Sequence, residues 1–281
     1  NYQKVQKSIN NMFSLLKKYQ LSFEQFKKLK QYCDKIKIDF LSTPFDTKSA
    51  IFLNNLKVPM FKISSTDNDN FLLLKLIKKF KKPILLSLGM IEEEDIKKTI
   101  KFLKYKKNML CIMHCISNYP TQIIDTQLSY INELKKYNYP VGWSDHTLGG
   151  VSAYAAIALG AQVIEKHITL SNKMVGPDHK ASMCVKELNK FTSNIFDIYK
   201  SVNNHGKRKI DKSENLVRKM AKRSLYFSKN LKKGEKISSN HLKALRPRGN
   251  GLSPNQISKI LGKEVKESVK KNNLLKLSQF K

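Results

Sequence analysis

The chain has 281 residues, 41% of them hydrophobic, enough to bury a large core and too many for wholesale disorder. Its formal charge is +31 at pH 7, yet only five of the 53 basic residues are Arg, and Lys is spread over nearly every amphipathic segment. Readers of nucleic acid rely on Arg forks and interleaved aromatics, so this charge reads as solvated helix faces and excludes neither an enzyme nor a small-molecule binder. No apolar stretch approaches the ~18 residues of a membrane span, so no membrane partner is expected.

Residues 5–36 read as helical segments. From residue 38 short apolar runs alternate with longer Lys-rich amphipathic segments. The runs are IDFLSTP (38–44), MFKISS (60–65), PILLSLG (83–89), MLCIMHC (109–115), PVGWSD (140–145) and VIEKHIT (163–169). Each has strand length, and each interval can hold a crossover helix; EEEDIKKTIKFLKY (92–105) shows acids first and Lys later, as the helix dipole favours. Six such βα units predict a parallel sheet.

A polar residue stands near the C-terminal end of every run: Thr43, Lys62 and Ser65, Ser87, His114, Ser144 and His146, Lys166 and His167. Polar ends from all strands converge only if the sheet closes, which favours an α/β fold of the (β/α)₈ barrel type over an open doubly wound sheet. Neither GxGxxG nor GxxxxGK[ST] occurs. Six visible strands then imply a barrel incomplete at its N-terminal side.

Residues 1–205 form this predicted barrel domain and 206–220 a polar linker. Residues 221–281, with Gly turns and short β-like pieces, form a compact second domain. The four cysteines, Cys33, Cys111, Cys115 and Cys184, contain no CxxC pair and read as reduced thiols of a cytoplasmic protein.

His146 and His167 end consecutive predicted strands, and adjacent parallel strands lie roughly 4.8 Å apart, so both imidazoles can reach one ion. Two neutral imidazoles with oxygen ligands suit Mn²⁺, Fe²⁺ or Zn²⁺. Asp145 and Glu165 flank them and are expected to point away from the lumen. Lys62, inside an apolar strand, calls for an anion. With Thr43, Ser65, Ser87 and Ser144 it makes a hydroxyl-and-ammonium cluster suited to phosphate or carboxylate. The loop GPDHKAS (176–182) hangs Asp178 and His179 near the rim.

FLSTPFD, FKISS, LSLGM, HCISNYP, GWSDHTLG, EKHITL and GPDHKAS, followed by RSLYFSKNLKKGE and LRPRGNGLSP, resemble the sialic acid synthase family (N-acetylneuraminate synthase and its legionaminate relatives) in order and over nearly the whole chain. The resemblance implies a (β/α)₈ TIM barrel followed by an antifreeze-like SAF domain, with two further strands ahead of Asn1 that would carry a Glu and a phosphate-binding Lys. Without them the chain is expected not to turn over. It implies condensation of phosphoenolpyruvate with an N-acylated mannosamine-type sugar to a nonulosonic acid, with release of phosphate; a pseudaminate-type substrate or a catalytically impaired binding protein are the alternatives.

By the same resemblance His146 and His167 hold a divalent metal, Mn²⁺ with Mg²⁺ or Co²⁺ as alternatives, and Thr43, Lys62, Ser65, Ser87, Ser117 and Ser144 surround phosphoenolpyruvate. Asp67, Tyr119 and Asp178 act on the sugar and its protons. Arg246 reaches the sugar in the partner's barrel of a domain-swapped homodimer, and His179 is a loop residue and no ligand. The chain departs from the family pattern at Ser65-Thr66-Asp67, where an acid one methylene longer is usual, at Leu88, where Thr is usual, and at Trp143, where Tyr is usual. Arg248 lengthens the Arg-Pro-Gly turn by one residue.

Overall fold

A computed structural model of the protein describes residues 13–203 and 206–281. The chain divides into two compact units, Asn1–Asn204 and His205–Lys281.

The first unit is built on a parallel sheet of β1 (Phe61–Ile63), β2 (Ile84–Ser87), β3 (Leu110–Cys115), β4 (Val141–Asp145) and β5 (Val163–Lys166), in the order β1-β2-β3-β4-β5. Helices α1 (Phe23–Lys35) and α2 (Thr47–Asn55) precede it. The crossovers carry α3 (Phe71–Lys79), α4 (Glu93–Leu103), α5 (Tyr130–Leu134) and α6 (Val151–Ala158), and α7 (Val185–Val202) follows. Local chemistry sets the starts of these helices. Ser22 and Gln25 close a capping box on α1, while Asp46 and Asn70 accept from the backbone of Ser49 and Leu73 to cap α2 and α3.

Period-2 alternation divides the strands into two faces. One carries Phe61, Ile63, Ile84, Leu86, Leu110, Ile112 and Trp143 into a fully buried core beneath the crossover helices. The other carries Lys62, Ser87, Cys115, Ser144 and Glu165, grouped toward the C-terminal strand ends. Every residue of β3 and β4 is buried, as expected of a parallel sheet covered on both faces. His114 lies on the helix side, its Nε2 2.8 Å from Thr126 O, and so does not join the polar ends as its position in the run predicted.

The strand order never reverses, which rules out the doubly wound alternative. The sheet is also strongly curved. In a flat sheet four inter-strand steps of ~4.8 Å would put β1 and β5 roughly 19 Å apart. Lys62 Nζ on β1 nevertheless lies 3.5 Å from Glu165 Oε2 on β5. Five strands therefore form an arc around a common interior.

Two expectations need correction. Residues 38–44 form no strand among the described residues; Pro44 has no N–H for a ladder, and Ile38 and Asp39 stay exposed. The sheet accordingly has five paired strands rather than the six visible in the sequence pattern, and neither edge gains a further partner among the described residues. The run 163–169 is also broken at His167: β6 (Ile168–Thr169) leaves the sheet to pair with β7 (Met183–Cys184).

In the second unit, β8 (Ser224–Phe227) and β9 (Leu242–Leu245) pair antiparallel over a core that includes Phe227, Ile260, Val265 and Leu275. Most of the predicted linker is ordered: Lys212–Ala221 is a helix, α8, capped by Asp211 accepting from Glu214 N. Charge order explains it, with Glu214 in the first turn and Arg218 and Lys219 in the last.

Candidate active site

Lys62 is almost fully buried, and its ammonium donates to Ser87 Oγ at 2.8 Å and Ile63 O at 3.2 Å. Its carboxylate neighbour is Glu165, which also accepts from Ser144 Oγ at 2.6 Å. The pairing is written in the sheet register, where Ser144 stands opposite Glu165. Glu165 therefore faces the interior, against the expectation that it points away. It lies two residues before His167, so the two share a face. Asp145, one residue from His146, does point to the helix side.

These groups border a cavity of about 470 Å³ at the C-terminal strand ends. Thr43, Lys62, Ser65, Ser87, Ser117, Tyr119, Ser144, His146 and His167 all line it, together with Glu165 and Cys115. Gly89 contributes its backbone: its N–H donates to Ser65 Oγ at 3.1 Å, and a Cβ there would stand 2.4 Å from Ser117 Oγ and 2.7 Å from Ser65 Oγ. A residue with any side chain would fill the space where the two hydroxyls converge. The buried Asn68 amide donates to Gly89 O at 3.0 Å and Ser87 O at 3.3 Å, fixing this turn against the end of β1. Neither Gly89 nor Glu165 stood out in the sequence. The signals were there: a glycine directly after a strand, and an acid at even spacing from a candidate ligand.

The His146 and His167 rings lie 5.5 Å apart between centroids, at 67°. His146 Nδ1 is 2.7 Å from Ile116 O, so Nδ1 carries the proton and donates, leaving Nε2 as a lone-pair ligand. Tyr119 packs on both, 4.0 Å from the His146 centroid and 5.7 Å from that of His167. Burial, reinforced by the negative charge available to Cys115, Glu165 and Asp178, pushes the Tyr119 phenol above its ordinary value. It stays a hydrogen-bond donor at neutral pH. Among the described residues no cluster of three or more His, Cys, Asp or Glu could hold a metal. The two imidazoles fit a divalent cation that takes its remaining ligands from oxygen of water or substrate.

Three predicted residues do not line this cavity. Asp178 Oδ2 is 4.0 Å from His167 Nδ1, and Asp178 borders a second opening of about 960 Å³ that meets the site at His167. Asp67 does not line the cavity; its carboxylate accepts from Thr66 Oγ1 at 3.0 Å and Asn70 Nδ2 at 2.9 Å, inside the turn after β1. Arg246 is an exposed residue of the second unit. His179 Nδ1 bonds Thr169 Oγ1 at 2.8 Å, tying its loop to β6.

The NeuB family matches residues 1–207 and the SAF domain residues 222–281. The chain is 37% identical over 270 residues to an N,N'-diacetyllegionaminic acid synthase of Campylobacter jejuni, covering 95% of this chain and 80% of that one. It is 39% identical over 265 residues to an uncharacterised protein of Methanocaldococcus jannaschii, covering 94% and 78%. Its structure resembles a crystal structure of an N-acetylneuraminic acid synthetase from Leptospira borgpetersenii with a TM-score of 0.68 at 35% identity, covering 73% and 72% of the two chains. An arc of singly wound strands, a polar cavity at their C-terminal ends and family matches over residues 1–207 and 222–281 together place this chain in the NeuB family of sialic acid synthase-type enzymes, with a SAF domain following the synthase domain in sequence.

Proposed function

We propose that the protein condenses phosphoenolpyruvate with an open-chain N-acylated mannosamine-type sugar to give a nonulosonic acid and inorganic phosphate. The observation that carries this reading is the meeting of the Lys62 ammonium, the Ser65 and Ser117 hydroxyls that Gly89 leaves room for, and two adjacent imidazoles in one cavity. An anionic enol ester needs a buried cation and converging donors, and an aldehyde needs an electrophilic partner beside it. The relatives point the same way: two legionaminic acid synthases match at 37% and 35% identity.

In this reading Lys62 and Ser87 hold the phosphate or carboxylate, while Ser65, Ser117 and the Gly89 turn shape its seat. A divalent cation, Mn²⁺ with Mg²⁺ or Co²⁺ as alternatives, held by His146 and His167, supplies Lewis acidity toward the sugar aldehyde. The enol ester's terminal carbon forms the new C–C bond to the aldehyde carbon, whose oxygen takes a proton and becomes a hydroxyl. Water adds to the enol carbon, and the resulting tetrahedral phosphate ester breaks its C–O bond to leave a ketone and phosphate. Glu165, held by Ser144, is placed to receive a proton from that water. Tyr119 and Asp178 face the sugar's hydroxyls. Asp67 orders the turn that carries Ser65. Arg246 is assigned to the sugar of a partner subunit in a domain-swapped homodimer on the family resemblance alone. All four cysteines are free, in keeping with a reducing, cytoplasmic setting; among the described residues no helix is long and apolar enough to cross a membrane.

Pseudaminic acid synthases also match, at 35% identity over 85% of this chain. Calorimetric titration of phosphoenolpyruvate, then of each amino sugar onto the loaded protein, with and without Mn²⁺, tests the reading without requiring turnover. Binding of 2,4-diacetamido-trideoxymannose or N-acetylmannosamine supports it, selective binding of the pseudaminate precursor favours the second substrate, and no phosphoenolpyruvate binding overturns it.

A further inference from the structure

Beneath the two imidazoles, on the opposite face of the sheet from the cavity, lies a buried ion pair that the proposed reaction does not use. Asp145 and Lys166 are register partners on β4 and β5, and Lys166 Nζ donates to Asp145 Oδ2 at 2.8 Å with both side chains almost wholly buried. Each is the residue directly before a candidate metal ligand, His146 and His167.

The surrounding bonds are directional. Asp145 Oδ1 accepts from Thr147 N and from Thr147 Oγ1, both at 2.8 Å, and Lys166 Nζ also donates to Thr147 O. Thr147 Oγ1 in turn bonds Ser152 Oγ at 2.7 Å, on the first turn of α6. His146 is thus bracketed: the residue before it and the residue after it are bound to each other and to the same ammonium of the neighbouring strand. Outside this bracket its carbonyl accepts from Thr121 N at 3.0 Å, and the His167 carbonyl accepts from Met183 N at 2.8 Å.

An apolar pair would hold two strands together with less desolvation, so a buried ion pair here calls for another reason. Apolar packing is non-directional, whereas an ammonium shared between a carboxylate and a carbonyl fixes where each strand end sits. We propose that Asp145 and Lys166 are positioning residues for the metal centre: by tying β4 to β5 through the far face, they set the separation and direction of His146 and His167 so that both reach one divalent cation. The inference rests on the two-imidazole reading and deepens it.

The test compares Mn²⁺ affinity, read from free-ion EPR signal on the full 281-residue chain, with thermal stability read in EDTA. The double variant D145N/K166M removes both charges and leaves no lone buried ion. It is expected to melt close to the wild type while binding Mn²⁺ about 10- to 100-fold more weakly, the range seen when groups that orient metal ligands are lost. Lys166→Arg keeps the cation and is expected to recover part of the affinity. Mn²⁺ affinity equal to wild type in the double variant overturns the proposal. Should that variant not fold, Thr147→Val, which keeps the shape and removes the hydroxyl's bonds to Asp145 and Ser152, is read instead: weakening of at least about threefold supports the proposal and unchanged affinity overturns it. His146→Ala separates the two readings. If the wild type binds Mn²⁺ and His146→Ala does not, the two-imidazole reading stands whatever the pair does; if the wild type binds no Mn²⁺, both fall.

Discussion

Lys62 Nζ and Glu165 Oε2 lie 3.5 Å apart although their strands are the two edges of the sheet. Curvature brings the first strand's cation to the last strand's acid, and both border the cavity. The pair leaves Lys62 only partly neutralised, because Glu165 is shared with the Ser144 hydroxyl and more than a third exposed.

Lys62→Met is accordingly expected to weaken phosphoenolpyruvate binding roughly 10- to 100-fold, the worth of one or two charge-assisted hydrogen bonds. Glu165→Gln keeps the shape and is expected to leave that binding near wild type or tighter, since a competing anion is removed. Titration calorimetry on both variants checks the contrast; equal losses would contradict the assignment of Lys62 as the anion's partner.

Gly89→Ala puts a methyl 2.4 Å from Ser117 Oγ and 2.7 Å from Ser65 Oγ. Both are side-chain atoms that can rotate away, so stability should change little, while the cradle is filled. Weaker phosphoenolpyruvate binding at an unchanged melting temperature is the expected outcome.

The core beneath the sheet is fully buried. Leu86 and Ile112 are fully buried register partners on β2 and β3. Leu86→Ala or Ile112→Ala is expected to cost about 2–5 kcal/mol, through lost transfer energy and a residual cavity. Trp143 is the chain's single tryptophan and is itself buried in this core. Its fluorescence during denaturant unfolding therefore reports this unit alone.

His114 gives the first unit a pH dependence. Burial holds its imidazole below the ordinary histidine value, and its bond to the Thr126 carbonyl only partly offsets this. Between the folded and unfolded values the unfolded chain binds the extra proton, so stability is full above about pH 6.5 and falls as the pH drops through that value. The slope from this one group approaches but does not exceed about 1.4 kcal/mol per pH unit. Denaturant melts from pH 7.5 to 5 should show it, and His114→Gln should flatten that part of the curve.

The hydroxyls, Lys62 and both imidazoles were legible in the sequence because each stands at the C-terminal end of an apolar run, and strand ends in a parallel sheet share one rim. Glu165 was legible in principle, since even spacing from His167 puts both on one face. Reading it as merely flanking the histidine gave the wrong direction. Thr43 lines the cavity even though its segment makes no ladder, because following the edge of a sheet does not require pairing with it. Asp67 shows the reverse: its place in the motif puts it beside Ser65, but Thr66 and Asn70 claim its carboxylate first. Helix α8 was missed because polar, charged composition alone resembles a linker until the cap and charge order are weighed.

Sequence by itself determined the alternation of strands and helices, the polar strand ends and the chemistry each brings, because periodicity and residue type are local properties. Only the tertiary structure decided the curvature that brings Lys62 to Glu165, the register that seats Ser144 against it, and the buried pair of Asp145 and Lys166 behind the two histidines. Those depend on which strands lie side by side and how far they bend, and such distances between remote residues are set by packing of the whole sheet.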